Sequence, residues 1–212
     1  MRTSQLALCI GLLLVGSGAY SDTTFTGTGS WHDPNRWSAG VPTASTKAIV
    51  SGYPTVTADA VGSPIVIRGG AVTVQDAGFS SSDTIYFGNG GNDVLSFTAT
   101  DADVSAPTFY FNFNQEGNGR VLYSQTGGTF TSGNLTEFYG GVATTAQFEN
   151  VSASFKGSRL VIARRAAPSL MSFKGGAFTN NAEILMGLWG KPSGRLAFDG
   201  TTVRLNGKIN VG

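Results

Sequence analysis

Cysteine is all but missing from this chain: the single one, Cys9, lies inside an apolar run near the N-terminus. A disulfide framework is therefore excluded, and the core must hold itself together by packing alone. Histidine is just as scarce, with only His32, so a histidine-rich metal site or a Ser-His-Asp triad has almost nothing to build on. Charged residues are 13% of the composition and nearly cancel, at +1, which gives nucleic acid no electrostatic footprint. The apolar run from Leu6 to Val15 is 10 residues long, half of the roughly 20 that cross a bilayer. No phosphate-cradling loop is present, because Gly187 to Lys191 has neither the spacing nor the context of one. Helix signals are missing too: no apolar stripe of 3.6-residue period persists for three turns.

What the chain does have begins with an export signal. Met1 and Arg2 precede the apolar run, and Ser17-Gly18-Ala19 supplies small residues where a signal peptidase cuts, so residues 1–19 are expected to be removed. The remaining chain of about 190 residues carries 27 of the 30 glycines, many Thr, Ser and Asn, and all 14 Phe, the composition of an all-β domain with tight turns.

Between Val72 and Val211 one pattern recurs six times. Anchors set on Phe79, Val104, Phe130, Phe155, Phe178 and Val203 are separated by 25, 26, 25, 23 and 25 residues. Seven residues before them stand Val72, Phe97, Tyr123, Phe148, Met171 and Leu196, and five or six after them Ile85, Phe109, Leu135, Leu160, Ile184 and Ile209. An irregular first coil is expected near Val56. Such a period marks a solenoid, in which each unit buries its apolar face only against its neighbours. Three apolar positions per unit, with alternation inside each short run, imply three strands per coil. The expected fold is a single-stranded, right-handed parallel β-helix with coils of about 25 residues over 48–212. A β-sandwich has no reason to share one phase across six units.

The segment ahead of the coils, residues 20–47, reads as a cap. Trp31 and Trp37, with Pro34, Gly40 and Pro42 bending the chain, can cover the open edge of the first coil. The same pair of tryptophans also suits sugar stacking. Trp31, Asn35, Trp37, Gly40, Pro42, Ala48 and Ile49 resemble the N-terminal motif of exported bacterial β-helix proteins, a group that includes autotransporter passenger domains and surface proteins with a sorting tail. Arg36 separates the Asn and the Trp, and Thr46-Lys47 replaces the usual acidic residue. The resemblance implies an exported solenoid at the cell surface, with the periplasm as the other location, and names no activity.

Candidate chemistry lies where the pattern is broken. Glu137 stands two residues after Leu135, at an inward position, unless a bulge turns Phe138 in and Glu137 out. Gln125 and Asn150 fall at matching inward positions and are expected to stack as an amide ladder. Asp76, Asp101 and Asp103 lie near one corner of adjacent coils, the one place to look for calcium; solvated turn aspartates are the plainer account. Outward Tyr86 and Tyr110, with Arg164, Arg165 and Trp189, are the candidate binding residues. Residues 20–116 carry three basic against nine acidic side chains and residues 117–212 ten against four, so the solenoid is acidic at one end and basic at the other. That basic end suits an anionic polysaccharide or lipopolysaccharide.

These features lead to a non-catalytic, secreted surface or matrix protein with an adhesin-like role. The alternative is a carbohydrate-active module, a binder or a lyase, and extracellular polysaccharide is the partner in both. The last coil should present Leu196, Val203 and Ile209 on an uncovered edge, for a continuation of the solenoid or a partner to close.

Overall fold

The computed structural model describes residues 21–89, 94–113, 119–139, 143–164, 168–187 and 194–211. Strands make up 67% of it and helix 2%, wound into a parallel β-solenoid of about seven turns spaced roughly 25 residues apart. Every pairing between named strands is parallel; an isolated bridge from Phe25 to Trp37 is antiparallel. Among the described residues no helix is long and apolar enough to cross a membrane.

Each regular coil supplies strands to three sheets. The first sheet contains Val94–Thr100, Arg120–Thr126, Thr144–Glu149, Ser169–Lys174 and Gly194–Asp199. The second contains Gly78–Ser81, Ser152–Phe155, Ala177–Asn180 and Thr202–Leu205. The third contains Thr84–Phe87, Arg159–Ile162, Glu183–Met186 and Ile209–Val211. Two longer strands, Asp103–Phe111 and Thr129–Phe138, run from the second sheet into the third.

Alternation decides which side chains meet inside. The inner column of the second sheet is Phe79, Val104, Phe130, Ala153, Phe178 and Val203. The sequence pattern put Phe155 in the fourth place; the ladder puts Ala153 there and pairs Phe155 with Ser132 and Asn180. Phe148 is displaced in the same way, with Ala146 opposite Tyr123 and Met171. Both aromatics still face the core, because a slip of two residues keeps a side chain on its face. Phe148 stacks on Phe173 at 4.6 Å, and Phe155 lies 5.3 Å from Phe178.

The slip also removes the amide ladder. Gln125 is buried opposite Ala99 and Phe148, where its Oε1 accepts from the Tyr123 hydroxyl at 2.6 Å and its Nε2 donates to the Ala102 carbonyl at 2.9 Å. Asn150 stands at an exposed corner with φ 55°. The first coil is also re-registered: Phe79 pairs with Ala60, and Val56 with Val74.

The corner between the first and second sheets explains several residue identities. Asp76, Asp101, Gly127, Asn150, Gly175 and Gly200 all adopt positive φ, between 47° and 71°. Only Gly, Asn and Asp visit that region at low cost. The turn costs no ladder bond, since the Asp76, Asp101, Gly127, Asn150 and Gly175 amides each donate to a carbonyl of the next coil at 2.8 to 3.0 Å.

At the N-terminal side Trp31 and Trp37 are buried and edge-on to each other at 4.7 Å, and Trp31 reaches the core at Phe79, 5.4 Å away. The Trp37 indole N–H donates to the Trp31 carbonyl at 2.6 Å, and Asp33 caps the 3₁₀ turn Pro34–Arg36 between them. With both indoles enclosed, neither offers a ring face to a sugar. In the last described coil Leu196 is half-buried, whereas Val203, Leu205 and Ile209 are 40%, 42% and 50% exposed.

Phe130 has no exposed surface and touches the rings of Phe109, Tyr123, Phe148 and Phe155. Phe130→Ala should therefore cost about 3 to 5 kcal/mol in denaturant unfolding, and Val203→Ala about 1 kcal/mol or less. Equal losses would mean that the inner column does not carry the fold.

Candidate functional site

Outside the second sheet the residues are small and polar, with Ser80, Ser105, Thr131, Ser154 and Thr179 in one column. The third sheet breaks that rule. Its outer column reads Ile49, Val66, Tyr86, Tyr110, Glu137, Val161 and Leu185, and Val66 and Val161 are buried although they face away from the core. Parallel sheets tolerate apolar residues on both faces, so the backbone raises no obstacle.

Tyr86 and Tyr110 are stacked across adjacent coils at 5.4 Å and an interplanar angle of 18°. Phe113 packs against both, at 5.5 and 4.5 Å, and Tyr139 follows at 5.4 Å from Phe113. All four rings are half-buried, so they form an aromatic strip that remains in contact with solvent. Tyr86 and Tyr110 lie where alternation places them. Alternation with Phe109 and Phe111 points Phe113 to the buried face, but Phe113, like Tyr139, follows its third-sheet strand at the start of the corner, where alternation no longer holds, and it packs on the outward tyrosines instead.

Glu137 reaches this face through a bulge. The register between Asp103–Phe111 and Thr129–Phe138 shifts between Ser132 and Leu135, giving the second strand one extra residue. Phe138 then turns inward and stacks on Phe111 at 4.5 Å, while Glu137 pairs with Tyr110 on the outside. The shift also replaces the expected anchor: Thr136, not Leu135, faces the core, and its hydroxyl donates to Ser132 Oγ at 2.8 Å. Although outward, Glu137 is 3% exposed.

A buried carboxylate costs several kcal/mol unless it is paired. Arg164 supplies the partner, donating from Nη1 to Glu137 Oε1 at 2.7 Å, and its guanidinium lies 5.2 Å above the Tyr139 ring. The hydrogen bond to Glu137 holds Arg164 more firmly protonated than usual. Burial, then the Glu137 charge and Tyr86, push the Tyr110 phenol above its ordinary pKa, because each disfavours the phenolate. A groove of about 330 Å³ opens beside the pair, lined by Tyr110, Asn134, Glu137, Ser158, Arg159 and Arg164 among others.

The remaining candidates lie apart from this cluster. Asp76 and Asp101 occupy the corner between the first and second sheets, and Asp103 accepts from the Thr129 hydroxyl at 2.7 Å. Among the described residues no three acidic, histidine or cysteine side chains come together as a metal-holding group. Arg165 and Trp189 fall outside the described residues.

No protein-family model, curated protein or solved structure matches the chain.

Two outcomes follow from the pair. Arg164→Ala strands the Glu137 carboxylate and should destabilise the chain by about 3 kcal/mol, while Glu137→Leu combined with Arg164→Leu should recover most of that loss. Glu137→Gln removes one charge that opposes the phenolate and leaves Arg164 favouring it, so the Tyr110 pKa, followed by NMR of its ring carbon, should fall. An unchanged value would separate Tyr110 from the pair.

Proposed function

We propose that the chain is a non-catalytic, exported surface or matrix β-helix protein that holds an extracellular polysaccharide against the outer face of its third sheet. One observation carries this reading: the half-buried strip of Tyr86, Tyr110, Phe113 and Tyr139, ending at the Arg164–Glu137 pair. Rings aligned along the solenoid axis repeat with the coil spacing of about 4.8 Å and suit a polymer lying along that axis. Aromatic rings supply large contact area at little entropic cost, and the polar groups beside them fix orientation.

Export and surface placement rest on the apolar segment from Leu6 to Val15, the small residues Ser17, Gly18 and Ala19, and the motif around Trp31 and Trp37. Neither indole takes part in binding, since both serve the lid.

Affinity electrophoresis through gels containing extracellular polysaccharides tests the proposal. A retarding polysaccharide should be found, and Tyr86→Ala and Tyr110→Ala should each weaken its binding by about 1 kcal/mol, or fivefold. Tyr53→Ala, an exposed residue that pairs with Thr28 on another face, should leave retardation unchanged. Retardation that survives both third-sheet variants would place binding elsewhere.

A further inference from the structure

We infer that the groove beside the Glu137–Arg164 pair receives a uronic acid unit, with its carboxylate on Arg159 and its ring against Tyr110; this rests on the polysaccharide reading above. The first support is size. At about 330 Å³ the groove lies at the small end of ligand sites, room for one sugar ring of a longer chain.

The second support is charge. The groove is lined by one carboxylate and two guanidinium groups. Glu137 and Arg164 neutralise each other across a 2.7 Å contact, so the pair offers no net charge to a ligand. Arg159 is different: its side chain is 60% exposed and its contact with Glu183 is 3.9 Å long. A contact so long and so exposed contributes little, so turning the guanidinium to a ligand costs little. The groove lining itself is therefore positive in net terms, with Glu183 outside it as a weakly held competitor, and the exposed charge is a planar fork suited to a carboxylate.

The third support is what surrounds that charge. Ser158 Oγ sits 3.3 Å from Asn134 Oδ1, a weak mutual contact between two groups able to bind sugar hydroxyls instead. Tyr110 brings one ring of the aromatic strip to the same groove. A neutral sugar would use the ring and the amide but would leave the guanidinium without a role. The position of Glu137 points the same way, because its column neighbour Val161 shows that an apolar residue suffices for the fold. The pair holds Arg164 over Tyr139 and keeps that wall of the groove rigid.

Calorimetric titration of the purified chain with a short oligoglucuronate, and with the same oligosaccharide after every carboxyl has been reduced to an alcohol, tests the inference. The acidic form should bind at least about tenfold more tightly at low salt. Arg159→Gln should abolish that preference while leaving the affinity for the reduced form unchanged, and Arg159→Lys should retain part of it through charge without the fork. Melting temperatures of both variants should match the parent, since Arg159 is an exposed side chain. Equal affinity for the two sugars in the parent chain, or Arg159→Gln weakening both alike, overturns the uronate assignment and leaves the polysaccharide reading intact. If neither sugar binds and no polysaccharide retards the chain in gels, the polysaccharide reading itself falls.

Discussion

Parallel hydrogen bonding between successive coils is the constraint on which the rest of this molecule depends. Along each strand successive residues bond alternately to the coil on one side and the coil on the other, and in-register pairing gives a residue the same direction as the residue below it. Inside, that inheritance stacks Phe148 on Phe173 and Phe111 on Phe138. Outside, it lines up Ser80, Ser105 and Thr131, and equally Tyr86 and Tyr110. A core of this kind needs no disulfide. It needs only that corners turn without breaking the ladder, which the positive-φ Asp, Asn and Gly residues provide.

The same constraint explains what could be read from residues alone. The period and the parity of each strand were legible, because a buried column demands an apolar residue every coil and alternation fixes its face. Register to within two residues was not, since Phe148 and Phe155 satisfy the inward face as well as Ala146 and Ala153 do. In that coil the smaller Ala153 and Ala146 hold the column positions that the aromatic pattern assigns to Phe155 and Phe148. The extra residue between Ser132 and Leu135 was harder still: a single-residue bulge changes parity and exchanges Leu135 for Thr136 in the core. The bulge can turn Glu137 outward because Phe138 stands next to it and fills the vacated inward position.

The candidate site was legible in part for related reasons. Tyr86 and Tyr110 follow from alternation. Arg164 was noticed as charge, but its partner lies 27 residues away and meets it only after the bulge turns Glu137 outward. Asp76 and Asp101 do share a corner column, and backbone conformation accounts for their identity there. Among the described residues, this face is where the polar-outside pattern gives way to stacked aromatic rings and a buried ion pair. Such local departures from a regular design are where function is expected to reside.

The central claim, that ligand contact is confined to the outside of the third sheet, can be tested residue by residue. Amide chemical shifts of the labelled chain, recorded while a retarding polysaccharide fragment is added, measure this directly. The account expects the changes to cluster at Tyr86, Tyr110, Glu137, Tyr139, Arg159 and Arg164, and to be absent from the Ser80–Thr179 column. Changes centred on the first or second sheet, or on the exposed edge at Val203 and Ile209, would contradict it.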